Sequence, residues 1–361
     1  MPAPEATLAA VACATDALRA GGIVVIGHPE GPSIAMLAVE TALPASLERF
    51  ETSRAIEPRL LLTHERARTL KIRLYTPDVV ALPLRPPLDA RQLRAIADPT
   101  ADLAAPLKGP FAPVRETLPP AYAAAVRLAK LGGLLPAVIV AAADAAPRGT
   151  TAISLSDIRA YDSVAVASLT LVTRARVPLE AAERAELVAF RAGSGEPEHL
   201  AIVIGDPPRD KPVLARLHSE CFTGDLLGSL RCDCGTQLRE ALAAIAKAGG
   251  GVLLYLAQEG RGIGLINKLR AYRLQDQGFD TIEANERLGF EGDERLYGIA
   301  ARMLELLGFH AVRLMTNNPK KVEALKAAGI AVAERVPHAF PATAHNRDYL
   351  RTKAEKSGHL L

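Results

Sequence analysis

Tryptophan is absent from these 361 residues, aromatic side chains make up only 4% of them, and no stretch of eighteen uncharged apolar residues occurs. The last absence leaves no segment with the length and apolarity of a membrane-spanning helix. An excess of charge of one sign is also missing: 43 basic against 40 acidic side chains leave a formal net charge of +3, too little to argue for a nucleic-acid or membrane surface. The opening residues MPAPEATLAAVACATDALRA have neither the basic start nor the apolar core of a secretory leader, so the expected compartment is the cytoplasm. Cysteine is scarce at four, yet Cys221, Cys232 and Cys234 fall within fourteen residues, with Cys13 far away. A reducing compartment and the strain of a Cys-x-Cys bridge favour a metal over a disulfide.

A chain of this length exceeds what one hydrophobic core usually serves, so two domains are expected. The first half is rich in Ala and Pro, with helix-like stretches (ATLAAVACATDALRAG, AYAAAVRLAKLGG) and strand-like runs (GIVVIG, RLLLT, AVIVAAA), which predicts an α/β layer. Near residue 172 the pattern changes to short β-branched runs, LVTRARVPLE, AELVAFRA, HLAIVIGD and VLARLHSE, divided by turn residues. These predict a mostly antiparallel meander. A helical face of Leu238, Ala241, Leu242 and Ile245 follows and closes at Gly249, and a strand VLLYLAQ comes next. NKLRAYRLQDQG reads as helix, FDTIEANERLGFEGDERLYG as irregular, IAARMLELLG as helix and AVRLMT as strand. Asn318 then fits an N-cap, Pro319 the first helical turn and Gly329 the C′ position. No internal repeat is present.

The Cys-x10-Cys-x-Cys spacing puts one thiol at a strand end and two on a tight turn before a helix. Zinc takes four donors tetrahedrally, so three protein thiolates leave one corner for water; completion by a distant His, as in a structural site, is the alternative. His218 shares a strand face with Arg216 and Glu220 while Cys221 points the other way, which disfavours it as the fourth ligand. QEGRGIGL allows close backbone approach to a ligand, though no P-loop pattern occurs in the chain. Its Glu259 and Arg261 suit a base amide and a phosphate, or a solvated ion pair on a turn. Lys320 and Lys321 stand in the first turn of a helix, where a cation is disfavoured and an anion is welcome; plain surface charge is the other reading, as it is for Asp293 and Arg295.

HSECFTGDLLGSLRCDCGTQL, QEGRGIGLINKLRAYRLQDQGFDTIEAN, LGFEGDER, TNNPKKVEAL and TKAEKSGHLL occur in that order, and with them the chain from about residue 174 onward resembles GTP cyclohydrolase II. The resemblance implies a zinc enzyme, with one ion per subunit on Cys221, Cys232 and Cys234. Such an enzyme opens the imidazole ring of GTP with loss of formate and pyrophosphate, the first step of riboflavin synthesis. It implies Asp293 as proton acceptor and Arg295 as nucleophile toward the α-phosphorus, although a guanidinium of pKa above about 12 is better suited to stabilising charge there. It assigns GTP contacts to Arg216, Leu217, His218, Ser219, Glu220, Gln237, Glu259, Gly260, Arg261, Tyr272, Thr281, Thr316 and Lys321. Magnesium on the triphosphate and a homodimer are implied as well. One departure is Ala257, where relatives commonly carry Arg.

ALRAGGIVVIGHPEG, RLLLTHERARTLKI, AAVRLAKLGGLLPAVIV and ISLSDIRAYD resemble dihydroxybutanone phosphate synthase. Its acidic Asp-Arg-Glu-Asn-Glu run is replaced by His28-Pro29-Glu30-Gly31-Pro32-Ser33, and its His-Thr-Glu by Ala121-Tyr122-Ala123. Without those groups neither a metal nor an enediol is held. The expected architecture is therefore a non-catalytic synthase-like α/β domain over 1–172 and a cyclohydrolase domain over 173–361 with an antiparallel meander and a mixed α/β core. The rival readings are a paralogue acting on another nucleotide, for instance in pyrimidine breakdown, and a GTP sensor without turnover.

Overall fold

A computed structural model describes residues 4–52, 57–84, 89–143, 146–193 and 195–339; the TKAEKSGHLL motif lies outside them. The chain begins α1 (Pro4–Arg19), β1 (Val24–Gly27), β2 (Ile34–Ala38), α2 (Pro44–Thr52), β3 (Arg59–Thr63), α3 (His64–Thr69), β4 (Val79–Pro83) and α4 (Ala90–Ala97). It continues α5 (Pro120–Leu131), β5 (Ala137–Ala142), β6 (Thr151–Ser154), α6 (Leu155–Ser168), β7 (Thr170–Arg176), β8 (Ala185–Arg191), β9 (His199–Gly205), β10 (Val213–Ser219), α7 (Cys234–Lys247) and β11 (Gly250–Leu256). The remainder is α8 (Gly264–Asp276), α9 (Thr281–Arg287), α10 (Gly298–Leu306), β12 (Ala311–Met315), α11 (Pro319–Ala327) and β13 (Ala331–Val336). Among the described residues no helix is long and apolar enough to cross a membrane.

The chain forms two compact units: one of residues up to Tyr161 together with Ile266–Glu294, the other of Asp162–Leu265 together with residues from Arg295 onward. The first unit holds a six-stranded sheet in the order β4-β3-β5-β2-β1-β6. Only β1 and β6 pair in parallel; the remaining neighbours are antiparallel. Val24, Ile26, Met36, Val138 and Val140 bury one face against Leu18 of α1 and Leu128 of α5. Burial on this scale contributes about 25 cal/mol for each Å² of apolar surface removed from water.

The second unit holds a seven-stranded sheet in the order β13-β12-β10-β11-β9-β8-β7. The antiparallel meander holds for β7, β8 and β9, and β9 continues antiparallel onto β11. VLARLHSE departs from it: as β10 it lies in mid-sheet, parallel to both β11 and β12. From β10 the chain passes to β11 on one side and only later to β12 on the other. That reversal is a topological switch point, where the carboxyl ends of parallel strands leave a crevice for ligands.

FDTIEANERLGFEGDERLYG is not wholly irregular either. It contains α9, closed at its start by a reciprocal capping box in which the Asp280 side chain accepts from the Glu283 amide and Glu283 from the Asp280 amide. Two orphan N–H groups are satisfied at once, which is enough to start a seven-residue helix. The α11 junction is as expected: the Asn318 side chain accepts from the Lys320 amide, Pro319 opens the helix, and Gly329 takes φ +90° after it.

Close packing of α7 on the second sheet rests on Gly251, where an added Cβ would lie 2.4 Å from the Leu214 carbonyl oxygen and 2.9 Å from Ile245 Cγ2. Neither a strand carbonyl nor a fully buried isoleucine can give way cheaply. Gly251→Ala is expected to destabilise the protein by about 3 kcal/mol, read as a lower urea midpoint.

Candidate active site

Cys221 follows the end of β10, Cys232 sits in the turn after it, and Cys234 is the first residue of α7. Their ligand atoms lie within 4.8 Å of one another, and Cys221 Sγ is 3.7 Å from Cys232 Sγ. For Zn–S bonds of about 2.3 Å a tetrahedron has an S–S edge of about 3.8 Å, so the spacing of this pair fits zinc. Hydrogen bonding to Cys221 and then Cys232, followed by burial, pushes the Cys234 thiol well above its usual range, and Cys221 heads the causes that raise Cys232. Thiols so crowded surrender their protons to a soft or borderline divalent cation far more readily than to solvent. Gly224 closes over them: a Cβ there would come within 2.8 Å of Cys232 Sγ and 3.0 Å of Cys221 Sγ. Among the described residues this is the one cluster of three or more potential metal ligands, and no histidine joins it.

What fixes Cys221 is a pair of carboxylates. The π-helical turn Phe222–Leu226 brings Asp225 back so that its Oδ2 accepts the Cys221 amide at 3.0 Å. Glu259 Oε2 accepts the Phe222 amide at 2.6 Å, and Oε1 accepts from the Gly260 amide at 3.0 Å. Asp225 also receives the Tyr255 hydroxyl at 3.0 Å and His218 Nε2 at 3.0 Å from each oxygen. Tyr255 and His218 stack with ring centres 5.6 Å apart. Burial, the leading cause, holds the His218 ring below its usual pKa and lifts the Tyr255 phenol above its own. With its ring donating to Asp225, His218 supports the thiol cluster from behind.

The remaining candidate residues fall on neighbouring elements. Arg216 on β10 is buried; Nη1 donates to the Met315 carbonyl at 2.9 Å and Nη2 to Gln237 on α7, while its buried Nε lacks an acceptor. Burial lowers its pKa to about 10, so the guanidinium stays charged at neutral pH. Lys321, at the start of α11, is buried too and donates to the Leu217 carbonyl at 2.8 Å. Thr316, at the end of β12, accepts from the Asn318 amide at 3.0 Å. Arg295 Nη1 reaches Ser219 Oγ at 3.3 Å, and its guanidinium lies 5.1 Å from the Tyr297 ring centre. Glu220 follows Ser219, its amide donating to the Leu256 carbonyl at 2.8 Å.

Gly260 and Arg261 both take left-handed backbone conformations, with φ 64°. For Arg261, which has a Cβ, that conformation costs about 1–2 kcal/mol. Tyr272 on α8, Thr281 at the start of α9 and Asp293 in the loop after it belong to the first unit, and the others to the second.

Sequence reasoning missed Asp225 and Tyr255, though Asp225 lies inside the cysteine motif at the spacing of a turn that returns on Cys221. It missed two further buried histidines. His338 donates its amide to Asn317 Oδ1 at 2.9 Å, and its Nε2 is 3.0 Å from the Gln237 carbonyl; His199 Nδ1 accepts the Ala257 amide at 3.1 Å. No local pattern marks either, since their partners are distant in sequence.

The profile of the GTP cyclohydrolase II family matches residues 170–337. A GTP cyclohydrolase-2 of Azospirillum brasilense is 51% identical over 378 aligned residues, spanning 100% of this chain and 96% of that protein. One of Azotobacter vinelandii is 65% identical over 164 residues, 45% of this chain and 79% of its own. Among solved structures, a two-domain 3,4-dihydroxy-2-butanone 4-phosphate synthase from A. baumannii covers 90% of this chain and 99% of its own at 19% identity, with a TM-score of 0.35.

Burial lowers the pKa of both His199 and His338 to about 4 from the usual 6.5. Above pH 6.5 both are neutral folded or unfolded and contribute nothing. Between 6.5 and 4 the unfolded chain binds protons that the folded one refuses, so stability falls with pH, by up to about 3 kcal/mol per histidine. Urea midpoints are expected to drop between pH 7.5 and 5.0, and to drop less in His199→Gln; a midpoint unchanged over that interval contradicts the assignment.

Proposed function

The chain belongs to the GTP cyclohydrolase II family, and we propose that it hydrolyses GTP to 2,5-diamino-6-hydroxy-4-(5-phosphoribosylamino)pyrimidine, formate and pyrophosphate, as the opening step of riboflavin synthesis. The observation that carries this reading is the trio of thiols at the switch point of the second sheet, in a unit that also buries two cations, Arg216 on the Met315 carbonyl of β12 and Lys321 on the Leu217 carbonyl of β10. Cys221, Cys232 and Cys234 would hold one zinc ion. Zinc bound there would supply Lewis acidity for attack on C8 of the imidazole ring.

The rest falls to the protein's own groups. Asp293 accepts the proton released as water adds to C8. Arg295 and Lys321 meet charge on the phosphates, Arg295 stabilising the developing charge as pyrophosphate departs. Arg216, Leu217, His218, Ser219, Glu220, Gln237, Glu259, Gly260, Arg261, Tyr272, Thr281 and Thr316 frame the nucleotide. Some do so by shaping the wall: Arg216 and His218 are already engaged by Gln237 and Asp225, so they position neighbours. Magnesium accompanies the triphosphate. The enzyme works as a cytoplasmic homodimer, and residues 1–172 form a synthase-like domain without synthase chemistry.

Incubation of the zinc-loaded protein with GTP and magnesium is expected to yield formate, pyrophosphate and the diaminopyrimidine in equal amounts. Asp293→Asn should lower kcat by about 10²–10⁴ with the zinc retained, and Cys232→Ser should lose both zinc and turnover. Larger formate release from another purine or a pyrimidine nucleotide than from GTP would overturn the choice of substrate.

A further inference from the structure

The segment Ile266–Glu294 leaves the second unit after β11 and rejoins it at Arg295, yet it folds as part of the first unit. Several polar contacts among the described residues fasten it there. Asn267 Nδ2 donates to the Gly133 carbonyl at 2.9 Å, Arg270 Nη2 to Glu40 Oε1 at 2.8 Å, and Gln277 Nε2 to the Thr100 carbonyl at 2.8 Å. Another involves Lys130, at the end of α5, whose Nζ lies 2.6 Å from Glu294 Oε1. Apolar contact reinforces them. Phe290 is buried with Lys130 over its ring at 5.9 Å, and the left-handed Gly289 lies so close that a Cβ there would meet Pro136 and Thr63 at 2.8 Å each.

Lys130 and Glu294 bear directly on the catalytic loop. Glu294 follows Asp293 and precedes Arg295, and its Oε1 also accepts the Glu291 amide at 2.8 Å. One carboxylate therefore closes the 291–294 turn and ties it to α5. The two side chains are only 19% and 20% exposed, so this is no solvated surface pair of negligible worth. We infer that the first unit, though stripped of synthase chemistry, serves the cyclohydrolase reaction by holding the Ile266–Glu294 segment, and that Lys130 is a positioning residue for Asp293 acting through Glu294. This rests on the reading of Asp293 as proton acceptor. A general base misplaced by an ångström loses much of its effect, whereas substrate affinity, spread over many contacts, changes little.

The test is steady-state GTP turnover by the full chain in Lys130→Met, Lys130→Arg, Glu294→Gln, the double variant Lys130→Met/Glu294→Gln, the charge exchange Lys130→Glu/Glu294→Lys, and Asp293→Asn. Zinc content and melting temperature are measured on each. Lys130→Met and Glu294→Gln are each expected to lower kcat about tenfold with KM within about threefold, zinc and melting temperature held. The double variant should be no worse than either single one, Lys130→Arg should keep near-normal kcat, and the exchange should recover part of the loss. Normal kcat in both single variants while Asp293→Asn is inactive overturns the inference and leaves the function standing. A fall in kcat matched by loss of zinc or of folded protein also overturns it. Full turnover by Asp293→Asn sinks the reading beneath it.

Discussion

Three thiols held within 4.8 Å of one another are the constraint on which the second unit is organised. Left to themselves such groups repel as thiolates and gain little as thiols, so the backbone must be forced into place by something else. Here the force comes from two carboxylates that take the successive amides of Cys221 and Phe222, one from Asp225 on the turn itself and one from Glu259 after the neighbouring strand. Gly224, lacking a Cβ, lets that turn close over the sulfurs. A cation bound there would relieve that crowding, and metal affinity and local folding would then be two views of one equilibrium.

The same turn explains why His218 and Tyr255 are where they are. A buried carboxylate with a single donor would be costly; Asp225 has the Cys221 amide, the Tyr255 hydroxyl and the His218 ring, and the cost is offset within one network. Lys321 and Arg216 meet carbonyls of the strand ends in the same way, which fixes their charges beside the carboxyl ends of β10 and β12. Positive charge is thus held in place at that end of the sheet by the fold itself.

How much of this could be read from the amino-acid sequence follows from how local each feature is. The cysteine trio and the Asn318-Pro319 helix start were legible because ligand spacing and capping act over a few residues. The placement of VLARLHSE in mid-sheet was not, since alternation along a strand says which face is buried but nothing about which strand lies beside it. The helix at Thr281 had its signal in the Asp280-x-x-Glu283 box, weakened by the short apolar pattern after it. Nothing local shows that Ile266–Glu294 folds with the first unit, because Glu40, Thr100, Lys130 and Gly133 lie 134 or more residues away from the partners they meet there. His199 and His338 were overlooked for the same reason.

The account stands most directly on the coordination of the ion it assigns to Cys221, Cys232 and Cys234. Zinc K-edge X-ray absorption on the isolated protein should show one zinc per chain with three sulfur scatterers at about 2.3 Å and one lighter oxygen scatterer. A fourth sulfur, an imidazole in the remaining position, or protein isolated folded and active without zinc would contradict it.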